Sequence, residues 1–377
     1  MSKTRVAILL NFIPPYRVPV FQELARQVDE LKIFIATPME PNRLWPPEWK
    51  DLNVCVQRNI TVQHAWKHPG GFEDQVYVHF SYDTLLQLKQ YQPDVVISSE
   101  LGFRSIQAVL FRKFDQRSRL ILWCMVSDYT EQGRGWLRER IRHWLLPEAD
   151  AVLINGEGGA RYIRKFGIPD NKLFRVPYTP QTELFALGPL QRPFHDTIRL
   201  LAVGQLIPRK GLVPFLEILG KWADKNPGRS IEFLCAGSGP LHDQLASRSY
   251  PPNLKFKLLG NIDYGDLPSL YNEADIFAFP TLADEWGLVV NEAMASGLPV
   301  LGSKYSQAVE ELVKDGKNGW TFRPDHPDEV EQALDRALLI KSDDLAAMRL
   351  AARTEAIKIT PATTAKNMIN AINFVKS

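Results

Sequence analysis

The amino-acid sequence predicts an α/β protein of two doubly wound domains, and three observations lead there. Short apolar runs alternate with longer amphipathic ones along the whole chain, the pattern of parallel strands threaded between covering helices. The 377 residues are too many for one ordinary core and suit two of similar size. Between the two sets of runs lies Tyr178 to Thr197, with three prolines and no clear period, which reads as a linker.

In the first half the strands fall at Val6–Leu10, Lys32–Ala36, Val95–Ser99, Leu120–Trp123 and Ala151–Ile154. The run Val6–Leu10 is too short for the core of a signal peptide and reads as the opening strand. Gly133 to Pro147 predicts a basic amphipathic helix, with Leu137, Ile141 and Leu145 on one stripe and Arg134, Arg138 and Arg142 on another. Such a helix can lie on an anionic membrane, or pack its apolar stripe on the sheet while the arginines face water. In the second half the strands fall at Leu200–Val203, Ile231–Ala236, Lys255–Leu259, Ile276–Phe279 and Val300–Ser303, with a helix at Leu212–Leu219. Thr360 and Pro361 read as the cap and first turn of a last helix carrying Ala365, Met368, Ile369, Ile372 and Val375.

Composition narrows the function. The net charge of +2 is uneven: residues 1–180 hold 24 Lys+Arg against 19 Asp+Glu, the remainder 21 against 24. A basic first half suits anionic lipid, phosphate or an acidic acceptor, although so small an excess is also an ordinary solvated surface. The three cysteines are far apart, and Cys124 and Cys235 sit in strand-like runs as buried thiols. No pair has metal-ligand spacing; His64 and His68, read as loop residues, do not make one. No stretch approaches the length of a membrane span, so a cytoplasmic protein, at most peripheral on the inner face of the cell membrane, is expected.

The segment PTLADEWGLVVNEAMASGLP, Pro280 to Pro299, carries the most chemistry. It sets Asp284 in a loop and Glu292 on a short helix that Gly287, Leu288 and Val289 open. Free N–H groups at a helix start attract phosphate, and carboxylates accept hydrogen bonds from the vicinal hydroxyls of a ribose or a sugar. The bland readings are a helix cap for Asp284 and a salt bridge for Glu292. Arg209 and Lys210, in GQLIPRKG after the strand Leu200–Val203, can stabilise a departing diphosphate without a metal, or can be exposed cations at a helix start. Gly260-Asn261-Ile262 offers backbone to a nucleotide base. On the acceptor side stand Tyr16 and Arg17, in the loop after the first strand, and Asp128 and Glu131 as candidates for general base. No strand is followed by G-x-G-x-x-G, because Gly237-Ser238-Gly239-Pro240 breaks that pattern, so a dinucleotide oxidoreductase is set aside.

Together the motifs VGQLIPRKG, CAGSGPL, LLGNI, LPSLYNEADIFAFPT, DEWGLVVNEAMASGLPV and DGKNGWTFRP resemble, in order, those of the retaining glycosyltransferases of family 4. The likeness is strongest over Leu200–Val330; IPPYRVPVFQELA and NGEGGARYIRKFGI extend it into the first half. It implies the GT-B fold, two facing Rossmann-like domains with an interdomain cleft: an acceptor-binding domain over 1–180, a nucleotide-sugar-binding domain over 198–359, and a final helix, 360–377, returning to the first. By resemblance Lys210 would bind the donor diphosphate, Glu292 the ribose, Asp284 hydroxyls of the transferred sugar, and Gly287, Leu288 and Val289 the phosphate through their N–H groups. The sequence departs from the family in having Asp284 for a glutamate, and Gln205 where many members carry an arginine, which throws more of the diphosphate charge onto Lys210 and Arg209. It also lacks the paired glycines of many relatives after its first strand, and a histidine near Trp123–Asp128.

The expected activity is thus metal-independent, retaining transfer of a sugar, with a UDP-sugar as donor and a hydroxyl of a glycan or lipid-linked molecule as acceptor, in cell-surface polysaccharide synthesis. No cofactor, no metal and no nucleic acid are expected. A non-catalytic nucleotide-sugar-binding subunit and a nucleotide-sugar epimerase of similar fold are the alternatives.

Overall fold

A computed structural model describes residues 4–40, 47–193 and 195–377. The chain divides into two compact units, one running to Thr179 and completed by Thr360–Ser377, the other spanning Pro180–Ile359.

The first unit opens with β1 (Arg5–Leu10), α1 (Val18–Ala25), β2 (Glu30–Ile35) and β3 (Val54–Val56), then an antiparallel hairpin of β4 (Asn59–Lys67) and β5 (Glu73–Ser81). It continues with α2 (Thr84–Tyr91), β6 (Val95–Ser99), α3 (Phe103–Phe114), β7 (Arg119–Cys124), α4 (Trp136–Leu145), β8 (Ala151–Ile154), α5 (Glu157–Arg164) and β9 (Leu173–Arg175). Among the described residues the parallel sheet has the order β3-β2-β1-β6-β7-β8-β9, so the winding reverses between β1 and β6. Side chains alternate across a strand, and β1 shows the consequence. Ala7 and Leu9 join a core that includes Leu88, Val109, Leu145 and Ile163 from the helices on one face. Val6, Ile8 and Leu10 join the opposite core with Phe21 and Leu24 of α1. A strand buried on both faces is apolar throughout, which is why RVAILL reads so plainly.

The second unit has α6 (Thr182–Phe185), β10 (Thr197–Val203), α7 (Leu212–Lys225), β11 (Ser230–Ala236), α8 (His242–Ala246), β12 (Leu254–Gly260) and α9 (Leu267–Glu273). Then follow β13 (Ile276–Phe279), α10 (Leu288–Ala295), β14 (Val300–Ser303), α11 (Gln307–Leu312), β15 (Gly319–Phe322), α12 (Pro327–Leu338) and α13 (Ser342–Ala356). Its sheet order, β12-β11-β10-β13-β14-β15, reverses between β10 and β13. One core joins Leu200 and Ala202 of β10 to Phe215, Leu219 and Trp222 of α7 and to Leu334 of α12. Arg349 of α13 meets Asp275 at 2.7 Å, both buried, while Asp275 also accepts from the Arg199 N–H.

The chain ends in α14 (Pro361–Lys376), whose start is a capping box: the Thr360 hydroxyl accepts from the Thr363 N–H and the Thr363 side chain from Thr360 N–H. Met368, Ile372 and Val375 bury their stripe with α1 residues in the first unit's core. The linker expected as irregular contains the single turn α6. The hairpin places His64 inside β4, not in a loop.

Candidate functional site

In the second unit the loops that follow β10 and β13 meet at the reversal of the winding, where open α/β sheets bind their ligands. After β10 the chain passes through Gly204 and Gln205 to a single 3-10 turn, Pro208–Lys210, and Gly211, at φ +67°, leads into α7. A Cβ on Gly211 would collide with the Pro280 carbonyl. That close approach lets the two loops bond: Leu282 N–H and the Thr281 hydroxyl both donate to the Arg209 carbonyl, at 2.8 and 3.1 Å. Lys210 and Asp284 are thereby brought together, with Nζ 2.5 Å from Oδ2. Arg209 reaches the same oxygen at 3.4 Å and the Ala283 carbonyl at 3.0 Å. Burial works against the Asp284 charge, yet Lys210 and Arg209, with the Trp286 N–H on Oδ1, hold the carboxyl below the usual carboxylate range. Lys210 also lies 5.2 Å from the centre of the Phe279 ring. An open depression of about 270 Å³, lined by Gly204, Gln205, Lys210, Phe279 and Pro280 among others, sits beside this group.

The start of α10 is built with equal economy of space. Gly287 takes φ +100°, and a Cβ there would press on the Phe279 ring and the Ser306 hydroxyl, both at 2.8 Å. Trp286 is buried, its indole N–H donating to Asn291 Oδ1 at 2.7 Å, and its carbonyl accepts from the Ala308 N–H at 2.9 Å. The first N–H groups of the helix, at Leu288 and Val289, have no acceptor within it. Further along α10, Glu292 is 3% exposed and accepts a 3.0 Å hydrogen bond from the Tyr271 hydroxyl. Burial pushes its carboxyl up to about 7, with the Tyr271 bond pulling the other way. Glu292 has a tyrosine partner, not the salt bridge that was its bland alternative. Tyr271 itself escaped the sequence reading; a buried tyrosine in an apolar helix must place its hydroxyl somewhere, and that was the available signal.

Gln205 is exposed at the rim of the depression. Ile262 lies just past the end of β12, half-buried, at the edge of the sheet.

In the first unit Tyr16 and Arg17 occupy the turn after β1. Arg17 is buried, stacked 4.1 Å from the centre of the Trp123 ring and 4.7 Å from that of Tyr178, and Tyr16 packs on the same Tyr178 at 5.5 Å. Asp128 accepts from Arg161 Nε at 2.9 Å. Glu131 must be corrected as a base: its side chain is 2% exposed and closed in an ion pair with Arg142, with Arg138 at 3.5 Å. The same pair corrects the arginine stripe of α4. Arg142 is buried with Leu145 and does not face water; the open side of the helix carries Trp136, 70% exposed, Leu137, 59%, and Trp144, 42%. Among the described residues no helix is long and apolar enough to cross a membrane.

Two family models match the chain: one described as glycosyl transferases group 1 over residues 197–339, the other as a glycosyl transferase 4-like domain over residues 17–179. The amylovoran biosynthesis glycosyltransferase AmsK of Erwinia amylovora is 31% identical over 200 residues, 50% of this chain and 47% of that one. The chain spans under half the length of the curated relatives that are 30% identical or more. Among solved structures, the apo form of the lipopolysaccharide outer core galactosyltransferase WaaB superposes with a TM-score of 0.74 at 16% identity, over 98% of this chain and 99% of that one. Anabaena Alr3699/HepE in complex with UDP gives 0.71 at 16% identity over the same shares, and that protein has also been solved with UDP-glucose.

Proposed function

This chain belongs to the group 1 glycosyltransferases and has the GT-B fold, and from that premise we propose that it transfers a sugar from a nucleotide-sugar, a UDP-sugar being the expected donor, to a hydroxyl of a glycan or lipid-linked acceptor. The observation that carries this reading is the convergence, at one end of the second unit's sheet, of two cations, a carboxylate and the N-terminus of α10. UDP and UDP-glucose bind Alr3699/HepE, and AmsK serves amylovoran biosynthesis; both fit a sugar donor and a polysaccharide product here.

In the proposed reaction the second unit holds the donor. Lys210, Arg209 and the N–H groups of Leu288 and Val289 face the diphosphate, where negative charge builds as the bond from the anomeric carbon to phosphate oxygen breaks. Glu292 accepts from the ribose hydroxyls and Asp284 from hydroxyls of the sugar. The acceptor oxygen bonds to the anomeric carbon on the face the diphosphate leaves, and its proton passes to the departing phosphate oxygen, so configuration is retained. Fixed cations supply the countercharge, and a divalent metal is not required. The first unit presents the acceptor. The open face of α4, with Trp136, Leu137, Arg140 and Trp144, suits the interface of an anionic membrane where a lipid-linked acceptor would reside.

Calorimetry of the purified chain with UDP, followed by release of UDP from a panel of UDP-sugars with and without acceptors and chelator, tests this. Binding of UDP that Lys210→Ala and Glu292→Ala leave unchanged removes the site assignment. UDP released only in the presence of acceptor separates a transferase from an epimerase, and turnover by the chain alone separates it from a non-catalytic subunit.

A further inference from the structure

The first unit repeats, at the reversal of its own sheet, the arrangement just described for the second. There Lys210 follows the first strand of the sheet and meets Asp284, which follows the strand across the reversal. Here Asn11 follows β1 and Glu100 follows β6, the two strands between which the winding reverses, and the Asn11 side-chain amide donates to Glu100 Oε1.

Glu100 is held in a conformation that residues with a Cβ avoid, at φ +67°. Among the described residues only Lys50 and Gln92 share this sign without being glycine, and Gln92 is the ordinary left-handed cap of α2. Glu100 closes no helix. It lies in the crossover from β6 to α3, and two backbone hydrogen bonds pin it there: its N–H donates to the Trp123 carbonyl at 3.2 Å and its carbonyl accepts from the Ser105 hydroxyl, which is itself held 3.0 Å from that of Ser98. The effect is to turn the carboxylate out at the carboxyl end of the sheet. It is open to solvent, yet enough protein surrounds it that burial raises its pKa, with Arg104 and His79 opposing.

The charged groups around it come from four elements: Arg104 on α3, His79 on β5, Glu40 beyond β2, and Arg138 on α4. Glu40 is engaged by His79 at 3.3 Å. Arg104 is 4% exposed, and none of its guanidinium nitrogens has a hydrogen-bond partner. A buried cation of this kind favours a charged carboxylate nearby.

We propose that Glu100 is the residue that receives the acceptor, its carboxylate accepting a hydrogen bond from a sugar hydroxyl, with Asn11 as the group that orients it. The ligand class is a neutral sugar with a free hydroxyl pair, since one carboxylate can accept from two adjacent hydroxyls. This rests on the transferase reading above and adds to it the side chain that meets the acceptor.

The test uses the full chain saturated with UDP and saturation-transfer NMR against methyl glycosides of glucose, galactose, mannose and N-acetylglucosamine. Binding of UDP is measured separately by calorimetry on each protein, so that its absence in the unaltered chain indicts the donor site alone. Glu100→Gln keeps the shape, and Glu100→Gly removes the carboxylate while accepting the left-handed backbone, which guards against a folding defect. The expected result is transfer to at least one glycoside in the unaltered chain, weakened at least tenfold in both variants, with UDP affinity within twofold of the original. Signals of equal strength in the variants, or no glycoside signal in an unaltered chain that binds UDP, overturn the proposal.

Discussion

Replacing Glu292 by glutamine separates the energetics of the second unit's site from any question of substrate. The carboxyl is enclosed by α10 and Tyr271, and burial raises its pKa from the ordinary 4.5 to about 7. Below pH 4.5 the group is protonated in both folded and unfolded chains and contributes no pH dependence. Between 4.5 and 7 the unfolded chain has released its proton while the folded chain keeps it, so stability falls as pH rises. Above 7 the loss is complete. At roughly 1.4 kcal/mol per pH unit, this interval corresponds to about 3 kcal/mol. Glutamine has nearly the same volume, still accepts from the Tyr271 hydroxyl, and cannot ionise. Glu292→Gln therefore becomes more stable relative to the unaltered chain as pH rises from 5 to 8, by about 2–3 kcal/mol, read from denaturant unfolding of the ligand-free proteins at several pH values. A charged acceptor holding sugar hydroxyls is worth roughly 1.5–3 kcal/mol, so the same variant binds UDP about 10–100-fold more weakly. A stability difference that does not change with pH refutes the reasoning, because it would mean the carboxylate is not penalised where it lies.

The remaining predictions address other parts of the chain. Gly287→Ala forces a side chain into φ +100° and against Phe279 and Ser306; it should cost about 2 kcal/mol or more, seen as a lowered melting temperature. Glu131→Gln leaves Arg142 buried without its counter-charge, at about 3–5 kcal/mol. Pairing it with Arg142→Met restores most of that loss, and a double variant as unstable as the single one counts against the ion pair. Trp136→Ala with Trp144→Ala should abolish cosedimentation with vesicles containing phosphatidylglycerol while leaving UDP affinity unchanged; cosedimentation that persists rules out α4 as the contact.

What the sequence revealed follows from how much each segment is buried. The strands Val95–Ser99, Ala151–Ile154, Ile276–Phe279 and Val300–Ser303 have the bounds expected of them, because strands covered on both faces are apolar without interruption. The hairpin β4–β5 gave no such pattern: β4 is exposed along most of its length, and its pairing rather than its burial defines it. The short strands β3 and β9 lie at sheet edges, three residues each, too brief for periodicity. On the site side, Lys210 and Asp284 stood out because a cation at a helix start and a carboxylate before one each invite a partner. Arg142 misled, since a helical projection cannot show that Glu131, outside the helix, reaches back to it. Glu100 was invisible for a different reason. A left-handed residue is legible when it is glycine, and here the strain is imposed by Trp123 and Ser105 from elsewhere in the chain.

The contact between Lys210 and Asp284 has a bearing on selectivity. A lone orthophosphate drifting to that lysine finds its positive charge already answered at 2.5 Å, and displacing the aspartate would strand a carboxylate only 13% exposed. A molecule that brings hydroxyls for the aspartate and phosphates for the lysine relieves both groups at once. In the donor site proposed above, the resting contact therefore favours a ligand that carries both chemistries over a small anion that carries one.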